Sequence, residues 1–191
     1  MSNPSFVYVL AEDQRQKQFI YRFLAKAGFN SRQMRIEVSP SGQGSAEQWI
    51  RKNFARQARI CRARKARAMF VLLDADNKSV QEHLRELDAA LIAENQPRFN
   101  PATDKITRLI PKWSIETWIL FLISKGMHTP LLSEDDPYKD SKTAEQWSEL
   151  IPEASETLFA WTKTAAKIPN DLLDSLQRAL QEIPRALSAG R

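Results

Sequence analysis

The sequence predicts an α/β fold: a mainly parallel sheet of about four strands flanked by helices, followed by a helical extension. Two observations carry this prediction. Short apolar runs with β-branched or aromatic character recur along the first two thirds of the chain, each followed by a stretch with helical apolar spacing. Beyond residue 126 the strand-like runs stop, and after a long polar loop only helical spacing remains.

In order, FVYVL at 6–10 reads as a buried strand. A helix follows over 14–27, with Phe19, Ile20, Phe23 and Leu24 on one stripe and Gly28 placed as its C-terminal cap. MRIEV at 34–38 alternates and reads as a second strand. The loop SPSGQGS leads into a helix opened by Ser45 and Gln48, a capping-box pair, and expected to run to about Ala66. MFVLL at 69–73 is the third strand, and Val80, Leu84, Leu87 and Leu91 then keep helical spacing. ITRLI at 106–110 is the fourth strand, stopped by Pro111, and WSIETWILFLI reads as a helix or buried segment. After the loop HTPLLSEDDPYKDSK comes a stripe of Leu172, Leu176, Leu180, Ile183 and Leu187, which Pro184 should kink or end. Residues 1–125 thus form the α/β unit, and 126–191 a loop and helical extension packed on the same domain.

A chain of 191 residues can bury a full core without staples. Its net charge of +5 leans toward an anionic partner. A single cysteine, Cys61, excludes an internal disulfide framework and suits a reducing cytoplasm. The N-terminus lacks the basic segment of an export signal, and WILFLI is too short to span a bilayer, so a cytoplasmic protein without membrane contact is expected. His83 and His128 stand far apart with no HxxxH or CxxC spacing, which argues against a zinc site of the usual kind. No GxSxG elbow, Walker loop or GxGxxG fingerprint occurs. Any chemistry falls to carboxylates and bases.

Four acids fit a common geometry. Glu12 follows the first strand, Asp74 and Asp76 close the third, and Glu116 follows the fourth. The carboxyl ends of parallel strands form one rim, where ligands bind. In an extended chain residues i and i+2 share a face, and carboxylates held together repel unless a proton or cation lies between them. Mg²⁺ or Mn²⁺ wants such hard oxygen ligands. The plainer alternatives are that Glu12 or Asp13 starts a helix, that Asp74 makes a turn, and that Asp76 is a cap. Glu116, among Trp113, Ile115, Trp118 and Ile119, needs a partner, and Lys112 four residues earlier offers one.

These residues carry a resemblance. VLAEDQRQKQFIYRFL followed by FVLLDADN resembles the TOPRIM domain of topoisomerases, primases, recombination nucleases and overcoming-lysogenization-defect nucleases, which place a glutamate after strand one and a DxD after a later strand. SPSGQGSAEQW, IPKWSIETWIL and DPYKD resemble a compact bacterial TOPRIM group encoded beside ABC-type ATPases in anti-phage loci. The resemblance spans Phe6 to Lys139. It implies a Rossmann-like TOPRIM fold and a nuclease acting on DNA or RNA. Glu12, Asp74 and Asp76 would be metal-site acids, Glu116 a second-metal glutamate and Lys139 a phosphate-facing cation. Mg²⁺ or Mn²⁺ would be the cofactor, and an ABC-type ATPase partner would restrain or trigger cleavage. The family's glycine after the first glutamate is Asp13 here. That departure fits either an enlarged metal site or a catalytically silent sensor or scaffold subunit of the ATPase complex. A DxD glycosyltransferase is a further alternative.

Between Arg51 and Arg67 the chain carries eight Lys/Arg and no acid. Arg51, Lys52, Arg56, Arg59, Arg62, Arg64 and Lys65, with Lys112, are candidate nucleic-acid contacts, and Arg59, Arg62 and Arg64 the central ones. The plain alternative is a solvated helix face. Gly42, Gly44 and Ser45 could cradle a phosphate at the helix start, or form a flexible connection. The five tryptophans read as core. Whether the chain forms a homo-oligomer is left open.

Overall fold

Side-chain alternation along the strands sorts the chain's apolar residues onto two faces of one sheet. The computed structural model describes residues 4–42, 45–64, 66–125 and 133–188. Within them β1 (Phe6–Ala11), β2 (Met34–Val38), β3 (Arg67–Leu72) and β4 (Ile106–Leu109) form a four-stranded sheet of order β2-β1-β3-β4. Every pair is parallel, with Val9 beside Ile36 and Phe70, and Leu72 beside Leu109. The helices are α1 (Gln14–Lys26), α2 (Ala46–Arg62), α3 (Val80–Ala93), α4 (Ile115–Ile123), α5 (Ala144–Lys163) and α6 (Asp174–Leu187). The architecture is the α/β, Rossmann-like one that the alternation of strand and helix patterns predicts.

Helices cover both faces, which is why β1 and β3 are apolar on both. Val7, Val9, Ala68, Phe70 and Leu72 join a core with α1, α4, α5 and α6. Their neighbours Tyr8, Leu10, Met69, Val71 and Leu73 join a second core with α2 and α3. The C-terminal helices are integral to the first core, since Trp147, Ile151, Leu158, Leu176 and Ile183 lie in it. A buried ion pair also ties α6 to β4: Arg108 Nη2 donates to Glu182 Oε1 at 3.0 Å and Arg108 N to Glu182 Oε2 at 2.8 Å.

Gly28 closes α1 at φ 97°, where Gly28 N donates to Ala25 O and Phe29 N to Leu24 O, the paired bonds of a glycine-terminated helix. Two expected boundaries move. Helix α2 stops at Arg62 because the chain must turn there to enter β3, which starts at Arg67, ahead of its apolar run. Pro184 does not end α6, which runs on to Leu187; the one backbone bond it forgoes is outweighed by the burial of Ile183, Ala186 and Leu187. Among the described residues no helix is long and apolar enough to cross a membrane.

Candidate active site

From β1 the chain crosses to β2 on one side, while β3 and β4 lie on the other. The strand order therefore reverses between β1 and β3, and the crevice at their carboxyl ends is the place where open α/β sheets bind ligands. Glu12 leaves β1 there and Asp74 leaves β3.

Asp74 is buried, at 3% exposure. Its Oδ1 accepts from Gln16 Nε2 at 2.8 Å and from Ile115 N at 3.0 Å. The second bond caps α4, whose own N-cap residue Ser114 makes no side-chain cap bond. Glu12 Oε2 accepts from Asp74 N at 3.0 Å, and Gln16 Oε1 accepts from Glu12 N at 2.8 Å. Gln16 thus clamps the two strand ends together. Asp13 caps α1 by accepting from Gln16 N at 2.8 Å. The sequence pattern holds a trace of Gln16: it is a polar residue in line with the apolar stripe of Phe19, Ile20 and Phe23, four positions after Glu12.

Burial pushes Asp74 well above the ordinary carboxylate range; the charges of Glu12 and Asp13 push it further, Lys139 opposes them, and Asp76 adds to the rise. Glu12 also rises, mainly by burial, against the hydrogen bond from Asp74 N; Asp76 and Asp13 raise it and Lys139 lowers it. These acids share one field, with one lysine set against it. Lys139 is exposed, and its backbone carbonyl is pinned by Trp147 Nε1 at 3.3 Å.

Asp76 does not share a face with Asp74 in the way an extended chain dictates. Strand β3 ends at Leu72, and Asp76 takes φ 47°, a left-handed conformation that aspartate tolerates, with its side chain exposed. Ligand atoms of Glu12, Asp74 and Asp76 do not all lie within 4.8 Å of one another; among the described residues the trio that does is Glu47, His83 and Glu86. Were Mg²⁺ or Mn²⁺ bound here, one or two of these carboxylates would ligate it, with water and substrate oxygens in the remaining positions.

Glu116 is fully buried in the first turn of α4 and forms an ion pair with Arg15. The Arg15 guanidinium also lies 5.6 Å from the Trp147 ring centre. The expected partner Lys112 pairs instead with Asp135 at 2.7 Å. A buried glutamate needs a cation, and α1 brings one from a hundred residues away, which no local spacing shows.

The basic stretch divides. Arg62 is held by Asp104 at 2.8 and 2.7 Å and by the Pro97 and Arg98 carbonyls, Arg59 by Glu94, and Arg51 by Glu47 and Glu86. Lys52, Arg56 and Arg64 are exposed and enter no ion pair among the described residues. Direction matters as well: α2 runs away from the rim, so Arg59 lies ~20 Å along it and Arg64 beyond its end. Of the expected central contacts Arg59, Arg62 and Arg64, the first two are engaged internally, and all three lie toward the end of α2 away from the rim. Ser45 caps α2 by accepting from Gln48 N at 3.2 Å, and Gly42 takes φ 78° in open space. Gly44 and Lys65 lie outside the described residues.

Comparison with protein-family models, curated proteins and solved structures finds no match for this chain.

Proposed function

We propose that this protein hydrolyses phosphodiester bonds in DNA or RNA as a TOPRIM-type nuclease, with Mg²⁺ or Mn²⁺ held at the β1/β3 rim and an ABC-type ATPase as partner. The observation that carries the reading is the buried Asp74, joined through its own N–H to Glu12 at the switch point and sharing its field with Asp13, Asp76 and Lys139. A divalent ion bound there would polarise the scissile phosphate and lower the pKa of an attacking water. Asp74 and Asp76 would hold it. Glu12, whose pKa burial raises, would be ligand or general base. Lys139 sets a positive charge against the leaving oxygen. With Glu116 engaged by Arg15, the chain's own acids suit one ion plus this lysine better than two ions.

A second reading has its own support. Asp13 is tied down as a helix cap and Glu116 as an ion-pair partner, which suits a silent sensor or scaffold subunit of the same ATPase. Relaxation of supercoiled plasmid with Mn²⁺ separates the two. The nuclease nicks it, and Asp74→Asn or Glu12→Gln slows nicking at least ~10²-fold, the share one positioned acid–base group supplies. Nicking that survives both substitutions overturns the proposed centre. An inert wild type, with either metal and with its partner, supports the silent subunit.

A further inference from the structure

We propose that Glu47, His83 and Glu86 form a binding site for a divalent transition-metal ion such as Zn²⁺, separate from the carboxylate rim. Glu47 lies in the first turn of α2, and His83 and Glu86 in the first two turns of α3. One ligand atom from each falls within 4.8 Å of the others.

His83 is the observation that sets this cluster apart from an ordinary ion-pair network. Its ring is 2% exposed, and Nε2 faces the Ala75 carbonyl at 3.2 Å. A carbonyl only accepts, so Nε2 carries a proton and, in the neutral ring, Nδ1 presents its lone pair. That Nδ1 is buried without a hydrogen-bond partner, 3.6 Å from Glu47 Oε1 and 3.5 Å from Glu86 Oε2. Lys78 and Arg51 pair with these carboxylates, yet neither gives Nδ1 a partner, and a metal ion held by all three side chains would. The separations exceed those of a direct N–H···O bond, and they approach the ~3.3 Å edge of a tetrahedron built from 2.0–2.1 Å bonds to zinc.

The surroundings match those of a metal site. Histidine ligands characteristically donate the other ring N–H to a carbonyl or carboxylate, which fixes the tautomer, and Ala75 O does this here. Arg51 Nη1 bonds the same two oxygens, at 2.9 Å from Glu47 Oε1 and 2.8 Å from Glu86 Oε2. The Lys78 ammonium stands between the same two carboxylates, at 2.6 and 2.9 Å. It is partly exposed and carried by the loop before α3, so it can swing out as a metal enters. An open groove of 440 Å³ between α2 and α3 reaches Arg51 and Glu86 from solvent. An imidazole with two carboxylates favours zinc and its transition-metal neighbours over magnesium. Ala75 sits between Asp74 and Asp76, so an ion on His83 braces the rim loop from the α2–α3 side.

The test is titration of the metal-free full chain with Zn²⁺ by calorimetry, together with ¹⁵N-histidine NMR. The Zn²⁺ that moves the His83 Nδ1 resonance binds one per chain, and any ion on the rim is read separately as the binding event that Asp74→Asn removes. Glu86→Gln and His83→Gln each weaken binding at least ~10-fold, Lys78→Ala tightens it by removing the competing ammonium, and Asp74→Asn leaves it unchanged. Glu86 is half-buried where His83 is buried, so its variant stays informative if the His83 variant does not fold. No stoichiometric binding overturns the proposal, as does binding that survives Glu86→Gln, that weakens in Lys78→Ala, or that Asp74→Asn abolishes; the last places the ion on the rim.

Discussion

Asp74 shows how one side chain can serve two levels of structure. Its Oδ1 caps α4 through Ile115 N and takes the Gln16 amide, while its backbone N–H holds Glu12. Folding raises its pKa, so the native state holds its proton more tightly than the unfolded chain does. The stability this group lends is complete below the ordinary aspartate value of ~3.9 and is lost as pH rises through the raised value. Glu12 shifts in the same direction. Asp74→Asn keeps an oxygen for both donors and removes the charge. Metal-free Asp74→Asn protein should therefore melt above the wild type at pH 7 and show a flatter pH profile, with ~2–4 °C gained for each kcal/mol recovered. Added Mn²⁺ should reverse that order. Identical pH profiles from calorimetric melts would show that Asp74 is not the titrating group.

At the scale of elements, helix direction decides what a charged stretch can reach. A crossover helix between parallel strands begins at their carboxyl ends and runs away from them, so α2 presents Arg51 and Lys52 nearest the rim. Its distal arginines do different work. Arg62 ties α2 to the loop before β4 through Asp104. Replacing Lys52 and Arg56 together by alanine should weaken nucleic-acid binding and flatten its log–log salt slope by about 1 for each phosphate left unneutralised, with the melting temperature unchanged. Arg62→Ala should lower the melting temperature and leave the salt slope alone. Fluorescence anisotropy over a salt series, paired with thermal melts, reads both. The opposite pattern would place the nucleic acid at the far end of the sheet.

For the whole molecule, the sheet is a wall between two cores, and the C-terminal helices complete one of them. Arg108 on the edge strand β4 is buried against Glu182 of α6 and lies 3.6 Å from the Phe99 ring centre. Removing Glu182 leaves the buried Arg108 with only the longer contact to Asp88 at 3.8 Å, so Glu182→Ala should destabilise by up to ~3–5 kcal/mol. A fall of that size in the urea unfolding free energy would mark α6 as part of the cooperative unit. A change below about 1 kcal/mol would mean that apolar packing alone holds it there.

Strand and helix identity, and the placement of Glu12 and Asp74 at strand ends, were determined by the sequence alone, because side-chain periodicity and turn residues are local properties of the chain. The face shared by Asp74 and Asp76 was misread, since the strand ends before them and Asp76 turns left-handed. Tertiary structure decided the polar partners: Gln16 for Asp74, Arg15 for Glu116, Asp104 for Arg62, and the meeting of Glu47 with His83 and Glu86. Apart from the i, i+3 step from His83 to Glu86, these residues lie tens of positions apart. Hydrophobic burial requires only that a face be apolar, whereas a buried charge requires one particular counter-group, and which group arrives depends on how the helices cross the sheet.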